Sequence, residues 1–269
     1  MISIKPVSEM KYHPTSEKIV DFLNAKTLNE ERLFFRVVLA YYWGVMASSM
    51  RAVIKGYDRN DLPINIYALN LSPSGTGKGY STSLIERELL AGFRERFLEV
   101  TFPTVAEQNM FELAQKRAQR KSTASNPVDP EDELEKVRKE FESLGSLLFS
   151  FDSATTPAVK QMRHKLLMGN AGGVNLQIDE IGANLVTFLE LYDLGLVKDK
   201  LIKSSAENVR HEKLVGGTPT NMLLFGTPTK LFDGDVTERR LYDMLEMGYA
   251  RRCHFGFLLK AKKPEGITA

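Results

Sequence analysis

Cysteine is almost absent from this sequence, since Cys253 is the only one among 269 residues. A single cysteine excludes an internal disulfide and is typical of proteins in a reducing compartment. We expect this lone thiol to lie in the core rather than to act as a nucleophile.

Long apolar runs are also missing. The most apolar stretch, residues 33–50, is interrupted by Arg36 and falls short of the roughly 20 apolar residues that a membrane span needs. The opening residues, MISIKPVSEMKYHP, lack the apolar core of a secretory signal. We therefore expect a protein without membrane contacts that works in the cytoplasm.

The sequence also lacks an excess of charge of one sign. The chain has 36 basic and 34 acidic residues, for a formal net charge of +2. A balanced total can hide local basic surfaces, so partners must be inferred from individual segments. The apolar fraction of 43% and the charged fraction of 26% are typical of a folded globular protein and argue against global disorder.

The chain does contain an alternation of strand-like and helix-like segments. Apolar residues at helical spacing from about Ser16 to Ile54 predict an N-terminal helical lobe over residues 1–60. Beyond it, short apolar runs alternate with helical patterns. This predicts an α/β domain over residues 61–269, with a mostly parallel central sheet flanked by helices. The highly charged segment at about 105–145 is interpreted as an inserted pair of exposed helices joined by a flexible loop. Strands are expected at 64–71, 147–151, 174–178, 221–225 and near 254–259. One helix is expected to follow residue 79, a second to end at about residue 168, and two more to lie at 184–194 and near 236–247.

A glycine-rich loop follows the first of these strands. Three glycines surround one lysine in SGTGKG, residues 74–79. Glycines let the backbone adopt positive φ and approach phosphate oxygens, which the amides at a helix start and the lysine can bind. The pattern predicts a P-loop for a nucleoside triphosphate, against the alternative of a glycine-rich turn with a solvated lysine. The expected phosphate-binding residues are Ser74, Gly75, Thr76, Gly77, Lys78, Gly79 and Tyr80.

The loop departs from the pattern G-x-x-x-x-G-K-[ST] at two positions. Ser72 stands where the first glycine is expected, and Gly79 stands where a magnesium-binding hydroxyl is expected. Ser72 is small enough to make the same turn. Magnesium is then expected to be held by water, by Asp179, or by a nearby hydroxyl such as Ser81 or Thr82.

Two adjacent acids follow the apolar strand at residues 174–178. In a P-loop ATPase the first acid orients magnesium or its water, and the second polarises the attacking water as a general base. Asp179 and Glu180 suit these roles in that order. The alternative is a plain helix cap. The acids and the loop support each other, because a doubly wound sheet binds its ligands at the carboxyl ends of its strands.

Three further residues are candidates for contact with the reacting phosphate. Thr227 follows the strand at 221–225 and is expected to place a hydroxyl near the γ-phosphate, with a turn threonine as the alternative. Arg251 and Arg252 precede the last strand, and one guanidinium there is expected to neutralise transition-state charge, in its own site or across a subunit interface. The other is then a solvated strand-edge charge.

Six short segments, taken in order, resemble the P-loop ATPase domain of phage- and plasmid-encoded primase–helicase-like replication proteins. The resemblance covers about residues 62–259 and implies a RecA- or AAA-like motor fold that binds ATP and Mg²⁺ and acts in DNA replication. It also implies contact with single-stranded DNA, a homo-oligomer such as a hexameric ring, and the cytoplasm of a bacterium or a phage-infected host. The segments are SPSGTGKGYS, FDSATTPAVKQM, LQIDEIG, LELYDLG, FGTPTKLF and MGYARRCHFGF.

Three functions from different classes compete on these grounds. The first is a DNA-dependent ATPase, a helicase or helicase loader, whose basic regions Lys116–Lys121 and Lys198–Lys213 would track a phosphate backbone. The second is a nucleotide kinase, suggested by Gly-Lys-Gly, although a kinase needs no general base such as Glu180. The third is an ATP-gated assembly or packaging component without motor activity.

Overall fold

The computed structural model describes residues 11–56, 61–123, 125–179, 217–232, 234, 236–246 and 253–258. The helices among these residues are α1 (Pro14–Thr27), α2 (Arg32–Ser49), α3 (Lys78–Ile85), α4 (Ala91–Arg96), α5 (Phe102–Lys121), α6 (Pro130–Ser143), α7 (Thr156–Gly169), α8 (Pro228–Leu231) and α9 (Val236–Met244), with π-helical turns at Glu86–Leu90 and Phe97–Thr101. The strands are β1 (Val53–Ile54), β2 (Leu62–Pro63), β3 (Tyr67–Leu71), β4 (Val174–Ile178), β5 (Thr220–Gly226) and β6 (Cys253–Phe257).

Among the described residues, the main sheet has four parallel strands in the order β4-β5-β3-β6. Its inner strands read as apolar runs because both faces are covered, and every residue of β5 is buried. The predicted α/β class with a parallel sheet flanked by helices is therefore confirmed. β1 and β2 form a separate antiparallel pair that precedes β3.

The two helices predicted as an N-terminal lobe share the core of the sheet. Apolar residues of α2 recur at helical spacing, so one face of the helix is buried. The ring of Phe34 lies 6.1 Å from that of Phe225 on β5. Arg36 then joins α2 to α1 through two hydrogen bonds to the Glu17 carboxylate, at 2.8 and 2.7 Å. The first two helices are therefore part of the layer that covers one face of the sheet.

Gly44 lies where α2 comes closest to the chain that enters β3. A Cβ on Gly44 would lie 2.4 Å from Ile66 Cγ1 and 2.9 Å from Ile66 Cβ. Because a β-branched side chain is stiff, Ile66 cannot swing away from such a group. The exposed Gly92 in α4 offers a matched contrast, since a Cβ there would meet nothing within 4 Å.

We expect Gly44→Ala to lower the free energy of unfolding by about 1–3 kcal/mol, because the added methyl overpacks the helix against Ile66. Gly92→Ala should raise it by up to about 1 kcal/mol, since alanine favours a helix. Urea unfolding followed by circular dichroism measures both. Stabilisation by both substitutions would contradict this close approach of α2 to the sheet.

The charged segment predicted as a helical insertion forms the hairpin of α5 and α6. The helical run from α3 continues through α4 to the end of α5 without a break. A small second core, separate from that of the sheet, joins the hairpin to α7. Its buried members are Met110, Ala114, Val137, Leu144 and Met168.

The strand predicted at 147–151 is the element that the structure does not form. Only Phe151 pairs with β4: its amide donates to Asn175 O at 3.1 Å, and its carbonyl accepts from Gln177 N at 2.9 Å. The run lies outside the edge of β4 and, within the part of the chain that the structure describes, has a strand on one side alone; Leu148 is more than half exposed. The helix predicted at 184–194 lies outside the described residues.

Within the described ranges, no helix combines the length and apolarity that crossing a bilayer requires.

Candidate functional site

The glycine-rich loop connects the end of β3 to the start of α3. Gly75 and Gly77 both adopt the left-handed backbone region, with φ of 77° and 79°. The positive φ expected at these glycines is therefore present. A Cβ on Gly75 or Gly79 would meet no atom of the described chain within 4 Å. The outer side of the loop is open to a ligand.

The start of α3 presents backbone amides at this loop. Gly77 is the N-cap residue and provides no side-chain acceptor for the first turn. The amide of Ser81 reaches back into the loop and donates to Gly77 O at 2.9 Å. The amides of Gly79 and Tyr80, in the first turn of the helix, have no acceptor within the helix. Such amides, together with the helix dipole, attract an anion.

Ser72 takes the place of the first glycine without distorting the loop. Its amide donates to Gly226 O at 3.0 Å, which extends the pairing of β3 with β5 by one residue. Its buried hydroxyl lies 3.1 Å from Thr76 Oγ1, which also reaches Pro73 O at 2.8 Å. These bonds hold the base of the loop, while Ser74 stays exposed at its tip.

Lys78 and Thr227 come together at the carboxyl edge of the sheet. Lys78 Nζ donates to Thr227 Oγ1 at 3.0 Å and to Ser72 O at 3.3 Å. Because β5 lies beside β3, the residue that follows β5 reaches the loop that follows β3. The lysine and the polar residue predicted near a γ-phosphate thus occupy one site.

For the ATP turnover that the sequence of the loop predicts, we expect Thr227→Val to lower the rate about tenfold or more, because it removes a hydroxyl that contacts a charged group while it keeps the shape of the side chain. The exposed Thr229, two residues further on, provides the control: Thr229→Val should leave turnover within about twofold. Steady-state phosphate release measures both rates. Equal rates for both variants would remove Thr227 from the site.

The hydroxyls of Ser81 and Thr82 face away from the mouth of the loop. Ser81 is fully buried, and its Oγ donates to Lys78 O at 2.7 Å. Thr82 Oγ1 donates to Gly79 O at 2.9 Å. Both hydroxyls therefore bond to the turn of helix that precedes them. Since this geometry holds Ser81 in the core, it does not suit the predicted role of Ser81 as a magnesium ligand.

The exposed carboxylate of Asp179 follows β4 at the same edge of the sheet. β5 separates β4 from β3, and Ile178 is level with Leu224, two residues before the end of β5 at Gly226. Two strand spacings and this offset of two residues put the ends of β3 and β4 about 12 Å apart. A triphosphate with its metal ion spans such a gap. Glu180, the predicted general base, lies outside the described residues.

A buried tyrosine fixes the helix behind the loop to the acidic strand. Tyr42 Oη donates to Glu86 Oε1 at 2.9 Å and lies 3.2 Å from Gln177 Oε1. Burial raises the pKa of Tyr42, and the nearby Glu86 carboxylate raises it further, so the hydroxyl stays protonated and able to donate. Glu86 follows α3 directly and Gln177 lies two residues before Asp179. Tyr42 thus links the helix that follows the loop to the strand that precedes Asp179.

The two candidate arginines, Arg251 and Arg252, lie outside the described residues. β6, which follows them, begins at Cys253, level with Tyr67 at the amino edge of the sheet. The glycine-rich loop is at the opposite, carboxyl edge. Burial raises the pKa of the Cys253 thiol to about 11, which agrees with the expectation that this thiol is not a nucleophile.

The basic cluster Lys116–Lys121 on α5 forms ion pairs with nearby acids. Three of its members contact carboxylates on the same helix or on α6, which partly offsets the positive charge on this part of the described chain. The cluster joins the hairpin and gives no support to a nucleic-acid interface. The pairs are Lys116–Glu112 at 3.7 Å, Arg117–Glu140 at 2.8 Å and Lys121–Glu133 at 2.7 Å. The second basic region, Lys198–Lys213, lies outside the described residues.

Comparisons of the chain with protein-family models, with curated proteins and with solved structures find no match in any of the three.

Proposed function

We propose that this chain binds ATP with Mg²⁺ at the glycine-rich loop and hydrolyses it. The observation that carries the proposal is the contact between Lys78 and Thr227 at the carboxyl edge of a parallel sheet, where Asp179 also emerges. Ligands of open α/β sheets bind at this edge. A solvated lysine in a surface turn would not place its ammonium group against the end of the neighbouring strand.

The residues of the loop fit a polyphosphate. The amides at the start of α3 and the left-handed glycines lie at a part of the loop where no described atom approaches Gly75 or Gly79, and Lys78 supplies the positive charge. Mg²⁺ keeps several waters and takes one or two carboxylates together with phosphate oxygens. Asp179 is suited to be one of these carboxylate ligands. A water molecule then takes the position of the hydroxyl that Gly79 lacks.

Glu180 takes the role of general base, and Thr227 contacts the terminal phosphate. Both assignments rest on the position of their strands, β4 and β5, on the same side of β3. We assign the catalytic guanidinium, Arg251 or Arg252, to the site of a neighbouring subunit, because the strand that follows it begins at the sheet edge opposite the loop. This assignment requires a homo-oligomer. A ring is the closed arrangement in which every subunit makes the same head-to-tail interface with the next.

The cellular task that we propose is that of a DNA-dependent motor of phage-type replication, a helicase or helicase-like ATPase. The support is the resemblance of the six sequence segments to primase–helicase-like replication proteins. Within the described chain the basic cluster on α5 is partly neutralised by acids. Contact with single-stranded DNA is therefore assigned to the region Lys198–Lys213.

Two other functions remain as alternatives. A nucleotide kinase would use the same loop, for which Gly77-Lys78-Gly79 is suitable. An ATP-gated assembly or packaging component would bind ATP at a subunit interface without turning it over. Both share the phosphate loop with the motor, so the reaction distinguishes them.

The test is ATP turnover with and without single-stranded DNA, alongside a nucleoside monophosphate as a phosphoryl acceptor. We expect magnesium-dependent phosphate release that rises several-fold with DNA. A Lys78→Ala preparation controls for contaminating ATPases. Transfer to the monophosphate would favour the kinase, and binding without turnover would favour the assembly component. Absence of both binding and turnover would contradict the proposal as a whole.

A further inference from the structure

The turn that joins α1 to α2, residues 24–29, lies beside the glycine-rich loop. A Cβ on Gly77 would lie 3.6 Å from Thr27 Cβ and 3.7 Å from Thr27 Cγ2. The last residue of α1 is thus a close neighbour of the residue that caps α3. A nucleotide whose phosphates occupy the loop would have this turn within reach of its other end.

Leu28 is held in an unusual state within this turn. Its backbone is left-handed, with φ of 53° and ψ of 35°, in a position after a helix where glycine or asparagine is favoured. Its side chain is 57% exposed, so burial does not compensate for the strain. A strained backbone that presents an apolar side chain to the outside is a feature of binding sites.

Two side-chain amide atoms of the same turn lack hydrogen-bond partners among the described residues. Asn24 Oδ1 and Asn29 Nδ2 are both covered, and neither has a partner among the described residues. The turn itself is well bonded: the amides of Leu28 and Asn29 both donate to Asn24 O, and Asn29 Oδ1 accepts from Glu31 N at 3.0 Å. The acceptor Asn24 Oδ1 and the donor Asn29 Nδ2 therefore lack partners within the described chain, in a turn whose other polar groups named here are hydrogen-bonded. Buried polar atoms of this kind call for an explanation.

We propose that this turn is the base-binding wall of the nucleotide site and that it takes adenine. Adenine offers an amino donor beside a ring-nitrogen acceptor, the pair with which asparagine side chains form two hydrogen bonds. Asn24 Oδ1 accepts from the amino group, Asn29 Nδ2 donates to the ring nitrogen, and Leu28 packs on the face of the ring. Guanine in the same orientation places a carbonyl oxygen against Asn24 Oδ1, which disfavours it. The inference rests on the proposed phosphate site.

The turn must rearrange when the base binds, because both amide atoms are covered. We expect the backbone conformation of the turn to change at the strained residue Leu28. Below the turn the two helices are clamped, since Glu17 receives hydrogen bonds from Arg36 at 2.8 and 2.7 Å and from Arg32 at 2.6 Å. The movement is thereby confined to residues 24–29, beside the phosphate loop.

The test is calorimetric titration of the full chain with ATP, with GTP and with inorganic tripolyphosphate, which occupies the loop but has no base. We expect the wild type to prefer ATP over GTP about tenfold or more. Leu28→Gly should weaken ATP binding about tenfold, leave tripolyphosphate binding unchanged, and raise the thermal midpoint, because glycine fits the left-handed position. A merely structural role for Leu28 would not move binding and stability in opposite directions.

Asn24→Leu, which keeps the size of the side chain and removes the acceptor, provides the second variant. We expect it to abolish the preference for ATP over GTP while tripolyphosphate binding stays unchanged. Wild-type affinity for ATP in both variants, or equal wild-type affinities for ATP and GTP, would overturn the inference and leave the phosphate site intact. Failure of the wild type to bind tripolyphosphate and ATP alike would instead overturn the proposed function.

Discussion

Replacement of Lys78 by alanine is expected to reduce the affinity for ATP by at least about a hundredfold. The ammonium group is the charge that the loop supplies to the phosphates, and hydrogen bonds to charged groups contribute about 1.5–3 kcal/mol each. The hydrogen bonds of Lys78 Nζ to Thr227 Oγ1 and to Ser72 O hold the ammonium group at the carboxyl edge of the sheet, where the phosphates are expected. Calorimetric titration with ATP and magnesium measures the loss.

The control for this substitution is Lys55→Ala, which removes an exposed lysine outside the site. It should bind ATP with an unchanged dissociation constant. Lys78→Arg tests geometry, because a planar guanidinium does not replace a compact ammonium group in a tight loop. ATP binding by Lys78→Ala at the level of the Lys55→Ala control would show that the loop is a glycine-rich turn and not a phosphate site.

Glu180→Gln is expected to slow ATP hydrolysis by about a hundredfold to ten-thousandfold, the range that a general base contributes. Binding should stay within about twofold of the wild type, because an amide fills the same space and the phosphate contacts lie on the loop. Single-turnover hydrolysis with radiolabelled ATP measures the chemical step apart from product release.

Asp179→Asn is the companion variant, since the two adjacent acids have different expected roles. It should raise the magnesium concentration needed for half-maximal turnover, whereas Glu180→Gln should leave that requirement unchanged. Loss of ATP binding in Glu180→Gln to the same extent as in Lys78→Ala would contradict this division of labour between the loop and the acidic strand.

The local features of the phosphate loop could be predicted from the sequence because they depend on residue type. Glycine adopts positive φ without strain, so glycines at 75 and 77 allow the left-handed backbone that the loop has there. The parallel sheet follows in the same way from alternating strand and helix patterns. The pairing order of the strands does not, because it is set by contacts between distant segments. That order is what brings Thr227 to Lys78.

Other features were outside the reach of sequence reasoning because they depend on which side a residue faces. Ser81 is close to the loop in sequence, yet the helix turns its hydroxyl into the core. The basic residues of α5 look like a nucleic-acid surface until α6 places acids beside them. Thr27 and Asn29 carry no motif, and only the folded chain reveals that their turn contacts Gly77.

The most direct test of the phosphate site is a crystal structure of the chain with Mg²⁺ and a non-hydrolysable ATP analogue. We expect β-phosphate oxygens within about 3 Å of the amide nitrogens between Gly75 and Lys78 and of Lys78 Nζ. We also expect the metal ion on the side of Asp179. An analogue bound elsewhere, with Lys78 still donating to Thr227 beside an open loop, would show that this loop is not the phosphate site.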